Sequence, residues 1–191
     1  MIKLKTPISE EEIRKLKVGD TVALSGIIAT GRDQAHNLMV EEKPDFIRDV
    51  LKESVIYHCG PVVKKHDDGT WSFVSAGPTT SMREEPYQAD VVCEYNLRGV
   101  IGKGGMGPKT AAGLKKCGAV YFHAVGGAGT LIANAVKRVV TVHKLEEFGT
   151  PEAFWVIEVE DFPLVVTMDA HGNSIHQEIL EKSQKIAEEI M

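Results

Sequence analysis

From Cys117 to Val136 the chain runs through 20 residues without a single Asp, Glu, Lys or Arg. Burial is the ordinary fate of such a run, although about 20 apolar residues could also cross a bilayer as a helix. Here Gly118, Gly126, Gly127 and Gly129 interrupt it, and His123 and Asn134 set polar groups inside it. A membrane span is therefore not expected. The division that fits is a buried strand over Ala119 to Val125, a glycine turn, and a helix from Thr130 to about Val139. Strand, turn and helix in that order make the repeating unit of an α/β fold.

The same punctuation extends along the chain. Ser9 with Glu12 is a capping-box signal opening a short helix that carries Ile13 and Leu16 inward. A strand over Thr21 to Ala29 stops at Thr30-Gly31-Arg32-Asp33. A helical stretch broken at Pro44 resumes with Phe46, Ile47, Val50 and Leu51. Val55 to Tyr57 is a short strand. Val62-Val63 and Trp71 to Ala76 form a hairpin around His66-Asp67-Asp68-Gly69. A helix is expected over Gln88 to Tyr95, a strand over Gly99 to Ile101, and a helix from Pro108 to Gly118. Two strands, Phe154 to Val159 and Leu164 to Met168, flank Asp161-Phe162-Pro163. A final helix shows Ile179, Leu180, Ile186, Ala187 and Ile190 on one face. No repeat or linker divides the 191 residues, so one domain over 1–191 is expected, α/β in class, with mixed sheets and helices on one side.

A net charge of -5 and a pI near 5.8 make the whole-chain field repel nucleic acid, which is not an expected partner. Any anion must be held by local basic groups, which points to a small ligand. The stretch Met1-Ile2-Lys3-Leu4-Lys5 offers no signal-peptide core. The three cysteines, Cys59, Cys93 and Cys117, are odd in number and contain no Cys-x-x-Cys pair. They suggest buried thiols in a reducing, cytoplasmic setting rather than a disulfide framework. Three thiolates could hold a four-iron cluster, but these are scattered, and no metal site is expected on this chain. His58 and His123, each at an apolar strand, read as satisfied core histidines.

Three loops share one design, in which an apolar strand ends, glycine follows, and then a cation. They are Gly31-Arg32-Asp33, Gly77-Pro78-Thr79-Thr80-Ser81-Met82-Arg83, and Gly102-Lys103-Gly104-Gly105-Met106-Gly107. Ligands of α/β folds sit at such strand ends, where glycine admits an anion close to the backbone. Arg32, Arg83 and Lys103 would suit a ligand with two carboxylates, arginine by paired hydrogen bonds. Each arginine also has a bland reading as half of a surface ion pair. Four glycines around Lys103 have no such reading. Gly102, Gly104 and Gly107 also match the dinucleotide pattern Gly-x-Gly-x-x-Gly, yet no acid ends the following strand, and Pro108 breaks any phosphate-loop match. A stand-alone nucleotide or phosphometabolite module built on Gly102–Gly107 is the alternative reading.

Taken in order, Thr30-Gly31-Arg32-Asp33, Gly77-Pro78-Thr79-Thr80 with Arg83, Ile101-Gly102-Lys103-Gly104-Gly105-Met106, His123-Ala124-Val125-Gly126-Gly127-Ala128 and Asp161-Phe162-Pro163 form a series. It resembles the β subunit, or C-terminal domain, of class I iron–sulfur fumarate hydratases and L-tartrate dehydratases, over nearly the whole chain. The resemblance implies a swivelling β/β/α domain. It also implies a hydro-lyase that hydrates fumarate to L-malate or dehydrates a relative such as L-tartrate, active only with a partner α subunit in an α2β2 assembly. The [4Fe–4S] cluster would lie on that partner, with none on this chain. Thr79 would be the catalytic base, and Arg32, Arg83, Lys103, Gly102 and Gly104 would bind the dicarboxylate.

Overall fold

The computed structural model describes residues 1–190. The strands are β1 (Ile2–Lys5), β2 (Thr21–Thr30), β3 (Val55–Tyr57), β4 (Val62–Lys65), β5 (Trp71–Ser75), β6 (Gly99–Gly102), β7 (Val120–His123), β8 (Val136–His143) and β9 (Phe154–Met168). The helices are α1 (Glu10–Ile13), α2 (Asp33–Glu41), α3 (Arg48–Leu51), α4 (Glu85–Glu94), α5 (Pro108–Cys117), α6 (Gly129–Ala133), α7 (Leu145–Phe148) and α8 (Ile175–Ile190). Short 3-10 turns at Asp45–Ile47 and Ser81–Glu84 lead into α3 and α4. None of the helices is long and apolar enough to cross a membrane.

Apolar alternation sets the layers. In β3, Val55 and Tyr57 join one core while Ile56 joins the other, and β7 divides Val120 and Phe122 from Tyr121 in the same way. Such strands are buried on both faces, as their β-branched and aromatic runs require. Residues of α2, α3, α4 and α5 complete the second core. The β4–β5 hairpin lies on the first, with Trp71 and Phe73 edge-on to Trp155 of β9. Helix–sheet–hairpin layering thus agrees with a mixed α/β fold.

Strands β1, β2, β3, β6 and β7 pair in parallel, so their carboxyl ends share one edge of the molecule. Strand β9 runs antiparallel and pairs with β2, β7 and β8. Because it joins both β2 and β7, it closes β2, β3, β6, β7 and β9 into a ring.

Three expectations are corrected. The helix from Thr130 stops at Ala133, and Val136–His143 is strand β8. Four β-branched residues, Val139, Val140, Thr141 and Val142, favour a pleated strand, and β9 offers an edge to pair with. The two tail strands are one 15-residue strand. Its pairing with β2 shifts between Leu24 and Gly26, where Gly26 has φ +109, and Asp161 opposite has φ +49. Such a bulge takes up the irregularity, and Pro163 lies near it, where a missing N–H is tolerated. Finally, the chain does not carry three free thiols. Cys93 and Cys117 form a disulfide, with Cα atoms 5.5 Å apart, and Cys59 stays free in the core. The cause is close packing of α4 on α5, where a Cβ on Gly113 would meet the Ala89 Cβ at 2.8 Å. That packing brings together two cysteines that sequence separation kept apart.

The shorter signals hold with small shifts. Ser9 and Glu12 form the capping box, and Gly118 ends α5 in the left-handed conformation. Helix α4 starts at Glu85 rather than Gln88, with Pro86 in its first turn. The apolar face of α8 does not enter the core, for Ile179, Leu180, Ile186 and Ile190 are all exposed.

Candidate functional site

The parallel edge gathers the loops. Strand β2 delivers Gly31-Arg32, β3 delivers His58-Cys59-Gly60, β6 delivers Lys103, and β7 delivers the Ala124–Gly127 turn. The segment 78–81 is then woven among them. Thr79 donates its N–H to the His58 carbonyl at 2.7 Å, and Cys59 pairs with Pro78. Lys103 N–H donates to the Thr79 carbonyl at 3.3 Å, and Ser81 N–H donates to the Lys103 carbonyl at 3.1 Å. On the far side Ala124 N–H donates to the Gly102 carbonyl at 2.9 Å. Gly60 lies against Arg32 and Pro151, for a Cβ there would stand 2.7 Å from Arg32 Nη1 and 3.0 Å from the Pro151 carbonyl oxygen. The loops of Arg32, Thr79 and Lys103 therefore adjoin in one rim, and Arg83 joins it through its ion pair with Asp33, the residue after Arg32.

Their surroundings differ. Arg32 is largely buried and pairs with Glu152 at 3.3 Å, while Glu152 also accepts the Gln34 N–H at 3.1 Å. The Nε of Arg32 is buried without a hydrogen-bond partner. Arg83 pairs with Asp33 through one terminal nitrogen, and 54% of its side chain is exposed. Both bland ion-pair readings thus occur, yet each guanidinium keeps donors unused by its partner. Among the described residues Lys103 has no carboxylate within ion-pair distance, in contrast to both arginines. Thr79 is half-buried. It is not the cap of the following 3-10 turn, because that position is Thr80, which makes no side-chain cap bond.

The glycine run serves two purposes. Gly102 is a packing glycine, since a Cβ there would fall 1.8 Å from Ser81 Oγ. Gly104 turns the open loop at φ +82 with nothing near its Cβ position. The nucleotide reading fails at the N-terminus of α5. There the Glu85 carboxylate accepts the N–H groups of Gly107, Lys109 and Thr110 at 2.8, 3.0 and 3.2 Å, and the Thr110 hydroxyl at 2.6 Å. The anion that this helix end attracts is already part of the chain.

Beneath the rim lies a polar layer that the sequence did not disclose, apart from His58. The Gln88 amide stands 3.0 Å from His36 Nε2 and 2.7 Å from His58 Nε2, with all three residues fully buried. The Gln88 atom that faces both rings is Oε1, and His36 Nδ1 lies 2.9 Å from the Arg32 carbonyl oxygen. His58 Nδ1 lies 2.8 Å from Ser81 Oγ, which also receives the Tyr121 hydroxyl at 2.8 Å. Burial pushes His36 down to about 4 and His58 well below its ordinary value, so both rings are neutral. His58 is thus the satisfied core histidine expected, whereas His123 has a buried Nδ1 without a partner. Glu84 is fully buried, and burial followed by neighbouring Asp33 pushes its carboxyl up to about 8.

These shifts fix the pH dependence of stability. Neutral His36 contributes stability above pH 6.5 that is lost as pH falls through about 4, and His58 acts in the same sense. Glu84 acts in the opposite sense. Its contribution is complete below the ordinary 4.5 and is lost as pH rises through about 8. Thermal stability should therefore peak near pH 6.5. Glu84 alone should remove about 2 kcal/mol between that point and pH 8. Melting curves of Glu84→Gln should lose the alkaline decline and keep the acid one; an unchanged alkaline limb would contradict the assignment.

The cysteines do not suit an iron–sulfur cluster. Two are joined to each other, and burial pushes the Cys59 thiol up to about 12, away from the thiolate a metal needs. Among the described residues no group of three or more His, Cys, Asp or Glu side chains is gathered to hold a metal ion.

A family model described as Fumarase C-terminus matches residues 1–179. A Geobacillus stearothermophilus protein named "Putative fumarate hydratase class I" is 51% identical over 183 residues, which is 96% of this chain but 35% of that protein. A Methanocaldococcus jannaschii protein named "Putative L(+)-tartrate dehydratase subunit beta" is 45% identical, covering 92% of this chain and 91% of its own. The L(+)-tartrate dehydratase subunit beta of Escherichia coli K12 is 39% identical, covering 98% and 94%. The chain thus spans about a third of the first of these relatives and nearly all of the other two.

Proposed function

The chain belongs to the Fumarase C-terminus family, and on that footing we propose that it is the dicarboxylate-holding half of a hydro-lyase. Its partner is an α subunit carrying a [4Fe–4S] cluster, in a cytoplasmic α2β2 assembly. The reaction is reversible hydration of fumarate to L-malate, or dehydration of a relative such as L-tartrate. A swivelling domain of this kind would turn its loop rim toward the partner.

The observation that carries the reading is the weave of 78–81 between His58 and Lys103. It sets a threonine and a lysine in adjacent backbone positions, with Arg83 four residues on. Two carboxylates call for more than one cation, and the rim supplies three. Lys103, which pairs with no carboxylate among the described residues, takes one end of the substrate as a point charge. Arg83 offers the guanidinium donors that Asp33 leaves unused, and Arg32 braces the other side from its pairing with Glu152. Gly104 keeps a side chain out of the approach, while Gly102 lets the β6 end that carries Lys103 pack against Ser81. Thr79 moves the carbon-bound proton through its hydroxyl. A threonine hydroxyl is a weak base, and the positive field of Lys103 and Arg83 favours its deprotonated form.

Iron analysis of the chain purified alone tests the division of labour. It should be colourless, with well under one cluster's worth of iron, and should capture a cluster-bearing subunit on co-expression. Stoichiometric iron and sulfide on the lone chain would overturn the proposal.

A further inference from the structure

We propose that Glu84 is a positioning residue, a neutral carboxylic acid that gives its proton to a hydrogen bond with Asp33 and so leaves Arg83 available to a substrate carboxylate. The inference rests on the reading above that Arg83 holds substrate.

The geometry begins with unpartnered atoms. Both carboxyl oxygens of Glu84 and Oδ1 of Asp33 are buried, and none has a hydrogen-bond donor. Helix α2, which begins at Asp33, packs on the 3-10 turn that carries Glu84, and Arg83 of that turn pairs with Asp33. Two facing carboxylates without donors are unfavourable, and one shared proton satisfies both. Two of the neighbouring groups are engaged elsewhere. His58 approaches from the loop after β3, with Nδ1 3.9 Å from Glu84 Oε2, but that ring is neutral and is engaged with Ser81. Tyr121 approaches from β7, and its hydroxyl is given to Ser81. Arg83, on the same turn as Glu84, spends its one ion pair on Asp33.

The consequence falls on Arg83. With the proton in place, the Glu84–Asp33 pair carries one negative charge, and a single guanidinium balances it. Loss of the proton would put two carboxylates beside Arg83. They would hold it more firmly and repel a dianionic substrate approaching the same rim. Glu84 never touches the substrate in this scheme and acts through Asp33 and Arg83.

The test is the pH dependence of KM for the dicarboxylate in the assembled, cluster-loaded complex. Wild type should show KM rising roughly tenfold between about pH 7 and about pH 9, the effect of one screened charge at this range. Glu84→Gln, whose amide is neutral and can donate to Asp33, should reduce that ratio to near one. A variant retaining the wild-type alkaline rise would overturn the proposal, as would a wild type without one. Arg83→Met separates the two layers. If it leaves KM unchanged, the reading of Arg83 fails; if it raises KM while Glu84→Gln keeps the wild-type profile, only the role of Glu84 fails. Infrared spectra of the full chain give an answer independent of turnover. A carboxylic-acid carbonyl band should titrate away near pH 8 and be missing from Glu84→Gln, and its absence from wild type would also overturn the proposal.

Discussion

Replacing Thr79 with valine should lower kcat of the assembled complex by roughly 10²–10⁴-fold while substrate Kd stays nearly constant. The change keeps the branched shape and removes only the hydroxyl. Its backbone bonds to His58 and Lys103 are untouched, so the weave of the rim survives. Stability should change by less than about 1 kcal/mol, the usual worth of a helix cap, because Thr79 does not occupy the cap position. Single-turnover kinetics, equilibrium binding and thermal melts on one preparation separate these effects. Near wild-type turnover in a stable, normally binding variant would end the assignment of Thr79 as base.

Lys103→Met and Arg83→Met should each weaken the interaction with the dicarboxylate by about 1.5–3 kcal/mol, the range for hydrogen bonds to charged groups. That is roughly 10- to 150-fold in kcat/KM. The two should differ in their side effects. Among the described residues Lys103 has no carboxylate partner, so its loss should leave the fold alone. Removing Arg83 strands the Asp33 carboxylate beside Glu84 and should lower the melting temperature as well. If both variants keep wild-type kinetics, these loops do not line the site.

Much of this architecture is legible in the sequence. Local chemistry wrote the clear signals: the Ser9–Glu12 box, Pro108 and Gly118 bounding α5, and the polar turn of the β4–β5 hairpin. The three cationic loops were legible as well, because glycine followed by a cation at a strand end is a local pattern. What escaped was set by distant neighbours. Val136–His143 became a strand because β9 offered it an edge, and Asp161 joins two strands into one only because Gly26 bulges opposite. The Cys93–Cys117 bond depends on the fit of Gly113 against Ala89. Nor could sequence show that Glu85 fills the helix end that the glycine run had suggested for a phosphate. The buried His36–Gln88–His58 layer and Glu84 come from three separate segments, and each looks ordinary in its own. A buried polar side chain gives no local signal of what will satisfy it.

Turnover by the separate and recombined halves tests the central claim most directly. The chain alone and the cluster-bearing subunit alone should each fail to interconvert fumarate and L-malate or to dehydrate L-tartrate. Their mixture under anaerobic conditions should act on at least one of these, with activity that saturates as one half is titrated into the other. Hydration by this chain without the partner, or full activity of the partner without this chain, would contradict the account.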